Sequence, residues 1–256
     1  MNRINYYDLD ARGALKFSAF LRMVHIAADE NATDLGVGFK QLMPLGMSFV
    51  LQRFSASAVR LPAYGEGVSI ATWPAALERG TFIRKGEMCD PEGNKLIEWA
   101  SLWLLFDINE RKILRPAALP VQLTGIGDQG VALNPQKVDI PSGEISGESG
   151  TGMMRHSQYT HRVRYADTDT NNHMNNAVYG DLAGNAVFEA RAGDILNAGT
   201  LPDGWRQLHL NYLAEARPGE EINVTACKSN KAFYVSGEVS TAENEKNRRI
   251  FTAQIQ

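Results

Sequence analysis

Tyr165-Ala-Asp-Thr-Asp-Thr-Asn-Asn-His-Met-Asn-Asn-Ala-Val-Tyr179 crowds two acids, several amides and one histidine ahead of a helical pattern. A fainter copy, Tyr6-Tyr-Asp-Leu-Asp-Ala-Arg-Gly-Ala14, stands near the N-terminus. The copy keeps the tyrosine, both acids and their spacing, but carries Arg12 and Ala14 where the later stretch carries Asn171 and His173. The chain therefore reads as two related halves, with polar catalytic equipment in the second alone.

Each half shows the same order of elements. In the first, a strand is expected over Ile4–Tyr7. Phe17, Phe20, Leu21, Val24 and Ala28 then recur at helical spacing for about five turns, and Gly36 and Gly38 break the pattern. Strand-like runs follow at Met47–Leu61, Val68–Trp73, Gly80–Cys89 and Lys95–Asp107, the last two joined by the turn signal Asp90-Pro-Glu-Gly93. Residues 120–152 are rich in Gly, Ser, Pro and Gln and read as a linker. The second half predicts a strand at His156–Ala166, a helix over His173–Leu196, and strands at Trp205–Ala216, Glu221–Lys228, Ala232–Thr241 and Arg248–Gln254. Gly65-Glu66 and Gly219-Glu220 each precede a strand, which extends the repeat beyond one motif. The small residues Ala177, Gly180, Ala183 and Gly184 let the second helix approach a sheet closely. The expected fold class is α+β: a long helix wrapped by an antiparallel sheet, twice, over 1–119 and 153–256.

At 256 residues, 44% hydrophobic and 21% charged, the composition is that of a globular protein. A net charge of −3 argues against a general nucleic-acid binder. Two cysteines, Cys89 and Cys227, are too few for a disulfide framework or a zinc site. No apolar run approaches the ~20 residues a membrane span needs, and a signal-peptide pattern is missing. A cytoplasmic location without membrane insertion is expected.

This organisation resembles the acyl-acyl carrier protein (acyl-ACP) thioesterase family, whose members carry two tandem hotdog domains. Asp169-Thr-Asn-Asn-His-Met-Asn-Asn176 followed by Tyr179 matches the family's Asp-x-Asn-x-His-x-Asn-Asn-x-x-Tyr pattern. Thr72-Trp73 and Ser101-Leu-Trp103 with Asp107 are supporting matches. The resemblance implies a further catalytic acid in Leu210-Asn-Tyr-Leu-Ala-Glu215, which assigns the role to Glu215. A position often cysteine in plant members is Ala216 here, so a thiol nucleophile is not implied. The resemblance also implies hydrolysis of fatty acyl-ACP in fatty acid biosynthesis, an acyl chain lying within the first domain, and neither metal nor organic cofactor. The first half, with Leu61 near the position answering Glu215, is degenerate and free to bind substrate through Phe20, Met23, Val24 and Trp73.

A thioester carbonyl is already electrophilic, so hydrolysis needs an oriented water and stabilisation of the developing oxyanion. Asn171 and His173, just ahead of a helix, suit the second task, through side chain or backbone N–H. Glu215 suits deprotonation of water, with His173 sharing the proton. Asp169 could orient Asn171 or His173, or attack the thioester itself. Asn175 and Asn176 could contact substrate or make structural hydrogen bonds, whereas Asp167 reads as a strand-end acceptor and His25 as structural. An acidic carrier protein would favour a basic face, with Arg79, Arg84, Lys85, Arg111, Lys112, Arg115, Arg206, Lys228 and Lys231 as candidates. Competing readings are an acyl-CoA thioesterase of the hotdog superfamily, a hotdog dehydratase, and a non-catalytic acyl-binding hotdog protein. Monomer and homodimer are both compatible with a tandem chain.

Overall fold

The computed structural model describes residues 2–140, 154–198, 204–229, 232–240 and 247–256. The chain divides into two compact units, Met1–Tyr6 with Arg22–Gln136, and Tyr7–Leu21 with Lys137–Gln256.

In the first unit, β1 (Asn2–Arg3), β2 (Met47–Ala58), β3 (Gly67–Glu78), β4 (Thr81–Cys89) and β5 (Lys95–Asp107) form an antiparallel sheet. Its order is β1-β3-β4-β5-β2, and the short β6 (Lys112–Ile113) pairs with β5. In the second unit β7 (Met154–Arg162), β8 (Gln207–Tyr212), β9 (Glu221–Lys228), β10 (Phe233–Val239) and β11 (Arg248–Ile255) pair antiparallel in the order β7-β9-β10-β11-β8. The two orders are the same once each strand is replaced by its counterpart. Helix α1 (Phe17–Asp34) precedes the first set of long strands and α3 (Asn176–Ala198) the second, with a single-turn α2 (Phe39–Leu42) after α1. This is the expected α+β architecture of two hotdog repeats.

The turn before β3 and the turn before β9 are built alike. Gly65 and Gly219 have φ of +78° and +87°, a left-handed backbone that glycine adopts without a Cβ clash. Ile4 N–H donates to Glu66 O at 3.0 Å and Val163 N–H to Glu220 O at 2.9 Å. The Glu66 carboxylate accepts Ala63 N–H and two bonds from Arg60, and the Glu220 carboxylate accepts Arg217 N–H and a bond from Arg248. Ala63 thus answers Arg217, which places Leu61 opposite Glu215 in the repeat.

Both sheets also leave a glycine beneath an aromatic ring on the next strand, Gly86 opposite Trp99 and Gly237 opposite Phe251. A Cβ on Gly86 would lie 2.3 Å from Trp99 Cζ2 and 2.5 Å from the Ala71 carbonyl oxygen. Because one of those atoms is backbone, the site has little freedom to relax. Gly86→Ala is therefore expected to destabilise the protein by roughly 1–3 kcal/mol in urea denaturation; an unchanged midpoint would show that the strands shift at no cost.

Several local readings need correction. Ile4–Tyr7 is not a strand: pairing ends at Arg3, and Tyr6–Asp8 form a 3-10 turn with both tyrosine rings exposed. Strand β3 runs on through Pro74, where the register shifts, to Glu78. There β1 no longer covers its edge, and residues 125–127 do so instead. Ile126 and Gly127 N–H donate to Pro74 O and Ala75 O, and Trp73 Nε1–H donates to Gly127 O at 3.0 Å. Covering a bare strand edge in this way blocks pairing with another chain. Part of the segment read as linker is thus packed, while 141–152 lie outside the described residues. Gly180 and Gly184 of α3 face Phe17 at the start of α1, Gly180 also Ser18 and Leu21, so the small face meets a helix there rather than the sheet.

Candidate active site

Thr168 and Met174 form an isolated antiparallel bridge that closes the loop 169–173. Inside it Asp169 N–H donates to His173 O at 3.1 Å and Asn172 N–H to Asp169 O at 3.0 Å. Asn172 takes φ +60°, a left-handed conformation that asparagine tolerates. Asp169 Oδ1 accepts the Asn171 N–H at 2.8 Å and lies 3.8 Å from His173 Nδ1. Asn171 is exposed, and Asp169 and His173 are half-buried.

The degenerate copy folds the same way. Leu9 and Leu15 form the bridge, Asp10 N–H donates to Ala14 O at 2.8 Å, and Gly13 N–H to Asp10 O at 2.9 Å. Gly13 at φ +79° stands in for Asn172, and Asp10 Oδ1 accepts Arg12 N–H at 2.8 Å. The Arg12 guanidinium then closes on Asp10 Oδ2 at 2.6 and 2.8 Å. The aspartate organises the loop in both copies, including the one without amide and imidazole.

Beyond the loop, Asn175 Oδ1 accepts Ala177 N–H at 2.9 Å and caps α3, while Asn175 N–H donates to Asp167 O. Asn176 gives its carbonyl to the Tyr212 hydroxyl at 3.1 Å. Asp167 acts as the strand-end acceptor, taking Arg164 N–H and His161 Nε2.

Glu215 sits in the turn after β8. The Met174 N–H donates to the Ala216 carbonyl at 2.7 Å, so His173 and Glu215 each immediately precede one end of a direct backbone hydrogen bond. Tyr179 OH donates to Ala214 O at 3.3 Å, and its ring meets Tyr212 edge-on at 5.2 Å. Burial pushes both phenols above their ordinary pKa, which keeps them donors. These contacts fasten the first turn of α3 to the 214–216 segment.

Two residues absent from the sequence reading complete the frame. Arg217 donates to Glu215 Oε1 from Nη2 and Nε at 2.8 and 3.3 Å. Arg248 donates to the Glu215 carbonyl at 2.5 Å and to Glu220 Oε1 at 2.7 Å, while Glu220 Oε2 holds the Arg217 N–H. The ring Glu215–Arg217–Glu220–Arg248 fixes the turn from both sides. The repeat carried the signal, since Arg60 binds Glu66 as Arg248 binds Glu220, but Arg60 approaches from the bend after β2 and Arg248 from β11.

The apolar candidates are more scattered. Phe20 is fully buried against Trp205 at 5.5 Å in the second unit. Met23 is half-buried and Val24 buried. Trp73 packs with Ala75, Ile83 and Val131 on the sheet face that the 124–133 segment covers. Of the basic candidates, Arg79, Arg111, Lys112, Arg115 and Arg206 are exposed, and the Lys228 ammonium lies over the Phe233 ring. Lys85 is not a surface residue: it is 2% exposed, paired with Asp128 at 2.6 Å and donating to Val131 O. Arg84 turns inward to Asn31. Lys231 lies outside the described residues. Among the described residues no group of three His, Cys, Asp or Glu is placed to hold a metal ion, and no helix is long and apolar enough to cross a membrane.

Two hotdog repeats, one keeping an Asn/His loop beside a glutamate and the other having lost all three, define a tandem-hotdog hydrolase. Residues 2–117 match the acyl-ACP thioesterase N-terminal domain and residues 152–255 the acyl-ACP thioesterase C-terminal domain. The chain belongs to the acyl-ACP thioesterase family, and its reaction is hydrolysis of fatty acyl-ACP thioesters. The fold agrees with that of an acyl-ACP thioesterase from Bacteroides thetaiotaomicron, at 20% identity and TM-score 0.69, covering 99% of this chain and 94% of the other. It agrees as well with the 12:0-ACP thioesterase from Umbellularia californica, at 17% identity and TM-score 0.67 over 99% and 94%. No curated protein shows significant similarity in sequence.

Proposed function

We propose that Glu215 deprotonates the attacking water, that Asn171 and His173 hold the thioester oxygen, and that His173 shares the proton. The supporting observation is the Met174–Ala216 hydrogen bond, which brings the segment carrying Glu215 against the Asn171/His173 loop. The thioester carbonyl carbon gains the water oxygen, the water proton passes to Glu215, and collapse of the tetrahedral intermediate expels the thiolate, which takes up that proton. Donors aimed at the developing oxyanion are each worth about 10²–10³ in rate.

Asp169 orients the loop rather than attacking. Its counterpart Asp10 makes the same backbone contacts in a loop without the other catalytic groups. Asn175 acts as helix cap and Asn176 as anchor for Tyr212. The acyl chain is assigned to the degenerate half, with Met23 and Val24 of α1 among its apolar walls; each buried methylene contributes about 0.8 kcal/mol. The carrier protein would approach over exposed Arg79, Arg111 and Arg115 of the first unit, in the setting of cytoplasmic fatty acid biosynthesis. Exposed Tyr165 and Leu213, with Arg164 and Arg217 nearby in sequence, add an apolar and basic rim to the catalytic loop.

The test is thiol release from acyl carrier proteins of different chain length and from matched acyl-CoA, for the wild type, Asn171→Ala and His173→Ala. Asn171→Ala is expected to lower kcat by about 10²-fold or more with its melting temperature kept. Turnover unaffected by both substitutions would move the reaction elsewhere. Equal turnover of CoA and carrier-protein substrates would remove the carrier-protein assignment.

A further inference from the structure

The first unit holds a cation that its own side chains leave unbalanced. Arg84 of β4 points to the face of the sheet that α1 covers, where Nη1 donates to Asn31 Oδ1 at 2.8 Å and lies 3.4 Å from Thr72 Oγ1. Both partners are neutral. Among the described residues no carboxylate lies within ion-pair distance of the guanidinium, although every other buried or half-buried arginine discussed above, Arg12 and Arg248 among them, has one. Burial alone pulls the Arg84 pKa down to about 10, so the group stays charged at neutral pH without compensation. A half-buried guanidinium without a carboxylate partner is a strong site for a planar anion, which it can grip through two parallel N–H bonds.

A buried nitrogen without a hydrogen-bond partner lies on the same face. The Nε2 atom of His25, on α1, is buried and has no hydrogen-bond partner. The His25 ring stands edge-on to Trp103 at 6.2 Å. Trp103 Nε1–H donates to Ser101 Oγ at 2.8 Å, and Ser101 is the cross-strand neighbour of Arg84. Around this polar row the face is apolar. Phe82 lies opposite Trp103 and packs with Leu105, Val37 and Leu42, and Phe49 meets Phe82 edge-on at 5.1 Å. Residues of this kind surround an alkyl chain, not a phosphate or a metal.

We propose that Arg84, supported by Asn31, Thr72 and His25, is a binding site for the carboxylate of a free fatty acid, whose alkyl chain lies along the Phe82/Trp103 face. The ligand is the class of molecule the reaction releases, held head-first by the unit that has no catalytic groups. Product can then occupy the acyl-binding half in the reverse sense and compete with incoming substrate. The binding step is a simple association and needs no turnover, so it stands or falls apart from the roles assigned to Glu215, Asn171 and His173.

The experiment is calorimetric titration of the full chain with dodecanoate and, in parallel, with dodecanol, each below its aggregation limit. The wild type is expected to bind dodecanoate at least about tenfold more tightly than dodecanol, the contribution of one charge-assisted carboxylate contact. Arg84→Met should erase that difference by weakening dodecanoate alone, Arg84→Lys should retain part of it, and Asn171→Ala should leave it intact. If Arg84→Met does not fold, the lysine variant and the acid-to-alcohol ratio of the wild type carry the test. Equal affinity for acid and alcohol in the wild type would overturn the proposal. So would a preference abolished by Asn171→Ala and untouched at Arg84, because the carboxylate would then sit at the catalytic loop.

Discussion

Glu215→Gln is expected to lower kcat on acyl-ACP by about 10²–10⁴-fold, the usual loss when a general base is removed. The substitution keeps the shape of the side chain and removes its basicity and its charge, and with the charge the ion pair to Arg217. The fold should survive it, because the rest of the turn is held through groups the change leaves alone. Arg248 grips the Glu215 backbone carbonyl and the Glu220 carboxylate, and Ala216 keeps its bond from Met174. Single-turnover hydrolysis compared with acyl-ACP binding separates the outcomes: a lost chemical step with unchanged affinity fits a base, whereas equal loss in binding fits a structural role. Wild-type turnover in Glu215→Gln would remove Glu215 from the chemistry and return Asp169 to consideration as a nucleophile. Single turnover in ¹⁸O-water would then place label in the Asp169 carboxylate if it attacks the thioester and water opens the resulting anhydride at the aspartyl carbonyl.

The difference between the two loop copies was legible because the repeat has a chemical asymmetry. Tyr, Asp and Asp survive at matching spacing, and in the structure the second acid organises the loop, Asp10 and Asp169 accepting the corresponding backbone N–H. Asn171 and His173 differ between copies and contribute nothing to closing the loop through their side chains. Strand ends were readable where turn chemistry is strong, as at Lys95–Asp107 after Asp90-Pro-Glu-Gly93 and at Glu221–Lys228 after Gly219. They failed where long-range pairing decides. Pro74 looks like a terminator, yet β3 continues past it because a register shift and the 125–127 segment accommodate the missing N–H. Lys85 and Arg84 look like neighbouring surface charges. Strand alternation instead sends one to Asp128 beneath the linker segment and the other to Asn31 under α1. A sequence shows the alternation but not that both faces of this sheet are covered.

The other large effect expected is a loss of stability in acid, caused by His25. Its ring is packed against Trp103 with Nε2 out of reach of water and of any partner, so the protonated form is disfavoured. Burial lowers its pKa from 6.5 to about 4. The sign follows from proton uptake: between those two values the unfolded chain binds the proton and the folded chain does not, so acid favours unfolding. The stabilisation is complete above about pH 6.5, declines as pH falls and is gone below about pH 4. A shift of this size corresponds to about 3 kcal/mol at about 1.36 kcal/mol per unit. His209, also buried and also lowered by burial, adds to the same trend, so the histidines must be separated by substitution. His25→Phe keeps an aromatic ring beside Trp103 and removes the titration. Urea denaturation of wild type and His25→Phe between pH 7 and pH 4 should show the wild type losing about 3 kcal/mol more than the variant as pH falls. Parallel curves would mean that the ring is protonated without cost in the folded state. His25 would then face an accessible, solvated space.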